Sequence, residues 1–135
     1  MLRKYNYNLE TGTVGTNDDN IANILFNINM MEKKVSYTTS DMDELDKALG
    51  ELFFMISDSK VHLNRFLKIF GEKVNAETVT AVTEALDKAM ETVDDALMKD
   101  PDIKEMCLAF PKVYKDLLEI VPIVLELDNQ AVGRV

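Results

Sequence analysis

The sequence predicts a mainly α protein. It reads as an antiparallel helical bundle built on a long helical hairpin over about 41–70 and 76–99, with a short N-terminal strand-like arm and a proline-kinked C-terminal helix. Three observations carry that expectation. Leu45, Leu49, Leu52, Ile56, Leu63, Phe66 and Phe70 follow the alternating four- and three-residue spacing of a helix that buries one stripe, with Ser59 the one interruption. A second run of the same period begins only a few residues later, which leaves room for an antiparallel return and little else. The 135 residues are 47% hydrophobic and include only 5 Gly and 3 Pro, a composition suited to one packed domain with few turns.

Residues 1–20 read differently from the rest. Tyr5, Tyr7 and Leu9 alternate with Asn6, Asn8 and Glu10, the period of a half-buried strand, and Thr11–Asn17 has the glycines and small polar side chains of a turn. A lone strand leaves its edges unbonded, so this arm must pair or lie against the helices. Residues 21–128 are expected to form a single helical domain, and 129–135 a flexible tail.

Residues 21–35 admit two readings. Ile21, Ile24, Leu25, Ile28, Met31 and Val35 share one arc of a helical wheel, with Asp18, Asp19 or Asn20 able to cap the start. Ile24, Phe26, Ile28 and Met30 could instead form one face of a strand, paired with Val35–Thr38. The helix is the preferred reading.

In the hairpin, Ser40 is a candidate cap, with Asp41, Asp43 and Glu44 in the first turn. The helix from there to Phe70 would be about 45 Å long. Ser57-Asp58-Ser59 could kink or restart it, and Gly71 suits a left-handed stop. Asn75 can cap the second helix, whose seam reads as Val79, Thr83, Leu86, Met90, Val93 and Leu97, broadened by Val82, Ala85, Ala89 and Ala96. Asp100-Pro101 suits a further helix start, running to about Phe110. Pro111 should begin or bend the next helix, and Pro122 should kink it or split it in two.

Charge and residue types exclude more than they assign. Lys and Arg number 15 against 24 Asp and Glu, a net charge of −9. The only basic interval, with Lys60, Arg65, Lys68 and Lys73, is short, so direct nucleic-acid binding is not expected. A single cysteine, Cys107, and a single histidine, His62, leave no disulfide and no Cys or His metal set, so no metal and no cofactor is expected. A metal site would have to draw on carboxylates such as Glu84, Asp87 and Glu91, which also suit a solvated helix face. Asp58 lies one turn before His62 and could orient its ring. No nucleophile neighbours the pair in sequence, and the ordinary reading is a boundary histidine. Cys107 has no consistently electropositive neighbourhood and reads as a packing residue. No membrane span or secretory leader is expected, which makes the cytoplasm the expected location.

The adjacent Phe53, Phe54 and Met55 cannot all be buried by one helix stripe. They are the candidate interaction surface, and they imply either packing on two sides or contact with a partner. The expected function is that of a non-enzymatic protein–protein interaction or assembly protein, a homo-oligomer, dimer or higher. Two alternatives stand beside it: an acidic inhibitor or adaptor covering a basic surface, and a small-molecule-binding helical protein.

Overall fold

The computed structural model describes residues 18–35, 41–98 and 102–131. They form α1 (Asp19–Val35), α2 (Met42–Phe70), α3 (Ala76–Met98) and α4 (Ile103–Ala131), with no strand among the described residues. The strand-like arm over 1–17 and the expected partner segment at 36–38 lie outside them. For 21–35 the helical reading holds, because Ile21, Ile24, Leu25, Ile28 and Met31 all point into the core.

Each helix starts on an acidic or amide side chain that satisfies amides left unbonded by the first turn. Asp18 Oδ1 accepts from the amides of Asn20 and Ile21 at 2.8 and 3.2 Å. For α2 the cap is Asp41 rather than Ser40, accepting from Asp43 and Glu44 at 2.9 and 3.2 Å. Its carboxylate adds the favourable field of a negative charge at a helix N-terminus, which a serine lacks. Asn75 caps α3 as expected, through Glu77 N at 2.7 Å. At α4 the cap is Asp102, accepting from Glu105 N at 2.8 Å, so that helix starts later than Asp100-Pro101 suggests.

Gly71 ends α2 without turning left-handed. Its backbone is right-handed, at φ −56° and ψ −31°, and its amide still donates to Leu67 O at 2.8 Å. The requirement for glycine is one of space, since a Cβ here would come within 2.5 Å of that same carbonyl oxygen.

Neither Ser57-Asp58-Ser59 nor the two prolines of the C-terminal segment split their helices. Ser57-Asp58-Ser59 lies inside an unbroken α2, where the buried Ser59 hydroxyl donates to Met55 O at 2.9 Å and so carries its polarity within the helix. Pro111 and Pro122 both lie inside one continuous α4. Each proline is on the exposed side, so the carbonyl one turn earlier, deprived of an amide donor, lies on a face that water can reach. The end of α4 also runs past the expected start of the tail, through Asn129 to Ala131. Gln130 pins it there: Oε1 accepts from Asn75 N at 2.7 Å, and Nε2 donates to Thr78 Oγ1 at 3.2 Å.

Cross-links between helices give their directions. Asn20, Asn27 and Lys34 of α1 meet His62, Asp58 and Glu51 of α2 in descending order, and Thr78 and Lys88 of α3 meet Gln130 and Asp116 of α4. Both pairs are therefore antiparallel, as is the hairpin of α2 and α3 across Gly71–Asn75. Going round the bundle, each helix packs on the next and α4 packs on α1. Among the described residues α2 also approaches α4 across one diagonal, while no Cα of α1 comes within 8 Å of a Cα of α3 across the other.

The α2 seam is buried as expected at Leu45, Leu49, Leu52, Ile56, Leu63 and Phe66, with Phe70 partly buried. In α3 the buried stripe is rotated from the expected one. Val82, Leu86, Ala89, Val93 and Ala96 are buried, while Val79, Met90 and Leu97 stand at the margin. The two alanines in that stripe, Ala89 and Ala96, let the α3 backbone approach its neighbours closely.

Candidate interaction surface

The helical period separates the three adjacent residues Phe53, Phe54 and Met55. Leu52 and Ile56 are fully buried, which fixes the inward direction of α2. Met55 lies at the edge of that stripe and packs against the core. Phe53 stands on the flank, 37% exposed, and Phe54 points almost directly away from the core, 70% exposed. Val61 and Ile69 continue the apolar character of this outward face and are also exposed. They escape a reading based on neighbouring apolar residues. The signal that finds them is the seven-residue step from Phe54 to Val61, which returns to nearly the same angle on a helix. Phe26, exposed on the outer side of α1, adds a separate apolar side chain.

Charge is distributed unevenly around this face. The first half of α2 presents Asp43 and Asp46 to solvent, and the second half presents Arg65 and Lys68. No ion pair within the chain engages these four among the described residues. Lys60, by contrast, bonds Asp87 of α3 at 2.6 Å, so the basic interval is already partly neutralised. The outer face of α3 carries Glu77, Glu84, Glu91 and Asp94, all exposed. Glu84, Asp87 and Glu91 remain on that surface, and no group of three or more His, Cys, Asp or Glu suited to a metal ion forms among the described residues.

His62 belongs to a polar ladder between α1 and α2. Its Nδ1 lies 3.0 Å from Asn20 Oδ1, and its Nε2 lies 3.4 Å from Asp58 Oδ2. The same Asp58 oxygen accepts from Asn27 Nδ2 at 2.9 Å, and Asn27 reaches the buried Ser59 hydroxyl at 3.2 Å. Asn20 and Asn27 are partners that sequence spacing could not supply, since they come from another helix. The ladder satisfies the buried Asn27 amide and Ser59 hydroxyl between α1 and α2, which is a structural task.

Asp116 is the one described group whose titration is clearly displaced. Its carboxyl is almost wholly enclosed, and burial raises its pKa above the ordinary 3.8. Lys88, with Nζ 3.4 Å away, opposes that shift. Cys107 is partly buried against the core.

A cleft of about 390 Å³ lies between the end of α1 and the start of α2 and is lined by Met30, Lys33, Lys34, Glu44, Lys47, Ala48 and Glu51. It is open, and the Lys34–Glu51 ion pair crosses its wall. No described helix is long and apolar enough to cross a membrane. Comparison with protein families, curated proteins and solved structures finds no match for the chain.

Proposed function

We propose that this chain is a non-enzymatic interaction or assembly protein whose contact surface is the outer face of α2. The observation that carries this reading is the exposure of Phe54, at 70%, with Phe53 beside it and Val61 two turns on. Apolar surface left in water is unfavourable by about 25 cal/mol per Å², and rigid aromatic rings are favoured anchors of protein contacts. The bundle does not need these rings for its own core, which Leu52, Ile56 and Leu63 fill from the opposite side of the helix. Self-association, as a dimer or higher oligomer, is the form of assembly that the reading favours.

Hydroxyl-radical labelling tests the surface independently of what covers it. Phe53 and Phe54 should label readily in dilute purified protein and several-fold less in an extract of cells that make it. Equal labelling in the two conditions would overturn the reading.

The acidic outer face of α3 favours a second reading, an adaptor that covers a basic macromolecular surface. A complex of that kind weakens steeply with salt and loses affinity when Glu84 and Glu91 are replaced by Gln. A complex unaffected by either change would exclude it.

A further inference from the structure

We infer that the occupant of the α2 face is a second copy of this chain, packed with its α2 antiparallel to the first across a two-fold axis near residues 55 and 56. The inference rests on the contact surface proposed above and adds the partner, its direction and its register.

The charge order along α2 selects the direction. Asp43, Glu44, Asp46 and Glu51, with Asp41 at the cap, mark its first half as acidic against Lys47 alone, and Lys60, Arg65 and Lys68 mark the second half as basic against Asp58 alone. A parallel pair would set like halves together, whereas an antiparallel pair sets each acidic half against a basic one. With a screening length of about 8 Å, the exposed Asp43, Asp46, Arg65 and Lys68 act at contact range and discriminate between the two arrangements.

Gly50 helps select the register. It lies in the middle of a 29-residue helix on the exposed face, where a Cβ would meet nothing within 4 Å. The protomer's own packing therefore gives no reason for a residue that weakens a helix. A neighbouring helix does, because the missing side chain leaves a hole in the outer surface. Placing the partner subunit's Val61 over Gly50 puts Asp46 level with the partner subunit's Arg65 and Asp43 level with the partner subunit's Lys68. Lys47 then lies level with the partner subunit's Asn64, on the side of α2 where Arg65 also stands. Symmetry repeats each contact, and the two Phe54 rings flank the two-fold axis, offset along the helices by about 4.5 Å.

Paired charge reversals test this arrangement. One variant carries Asp43→Lys and Asp46→Lys, and the other carries Arg65→Asp and Lys68→Asp. All four positions are exposed, and helicity by circular dichroism checks that each variant is folded. In sedimentation, each variant alone should have its dimer dissociation constant raised by about tenfold or more, because residues 43 and 46 then meet 65 and 68 with like charge. An equimolar mixture should recover association, since the fully basic face of one then meets the fully acidic face of the other. An unmodified protein that sediments as a monomer at about 100 μM overturns the second copy as occupant. A dimer whose variants associate unchanged, or whose mixture fails to recover, overturns the antiparallel register. Phe54→Glu separates the two levels. If it yields a folded monomer while the charge variants do not behave as stated, the contact surface stands and the register falls. If the dimer survives Phe54→Glu, the contact surface itself is wrong.

Discussion

Asp116 shows at the scale of one side chain how burial and charge compete. Enclosure favours its neutral form and Lys88 its charged form, and enclosure is the larger effect. A carboxyl whose folded pKa is raised binds its proton more tightly in the folded state than in the unfolded one. Its contribution thus favours folding below the ordinary value of 3.8 and is lost as pH rises through the folded value. Asp116→Asn removes this dependence. Urea midpoints at pH 3 and pH 7 should show the variant gaining on the unmodified protein at the higher pH, and a constant difference would count against the displaced titration. Asn27 illustrates the reverse case of a buried polar group with partners. Asn27→Ala strips one contact from Asp58 and one from Ser59, and should lower stability by about 1–3 kcal/mol in denaturant titration.

At the scale of the helix, α2 was largely legible in the sequence, because Leu45 to Phe66 repeat one period and tolerate one reading. The α3 stripe was less so. With Val79, Val82, Leu86, Ala89, Met90 and Val93 all apolar, the wheel offers two neighbouring arcs, and only the position of α4 selects the one containing the alanines. The prolines of α4 left a kink and a split both open in the sequence: they weaken any isolated helix, yet burial of Val113, Leu117, Ile120 and Val124 holds this one together through both. The candidate surface was legible as three adjacent residues, but its outward direction was not. That direction depends on which neighbours of Phe54 are buried, and Val61 and Ile69 join it only through the turn of the helix. Gly50→Ala belongs at this scale. At concentrations where the chain is monomeric it should raise stability by about 0.5–1 kcal/mol, since alanine favours helix and the site is open. A lowered denaturant midpoint would mean that the site is not open.

In the whole molecule, the buried residues of all four helices meet in one core. Leu86, 1% exposed, faces that core from α3, and Leu86→Ala should cost about 2–5 kcal/mol in equilibrium unfolding. A change under about 0.5 kcal/mol would remove it from the core. The wide diagonal between α1 and α3 has a thermodynamic meaning of its own. Ile28 in α1 and Val93 in α3 are both fully buried, yet no described Cα of one helix comes within 8 Å of a Cα of the other, and each helix packs closely on α2 and α4 instead. Truncations at the two sites should therefore sum, with a coupling energy within about 0.5 kcal/mol of zero for Ile28→Ala combined with Val93→Ala. A larger coupling in a double-mutant cycle would show the bundle answering as one elastic body. The additive result would make it two semi-independent walls leaning on a common pair of pillars, each able to accept sequence change without consulting the other.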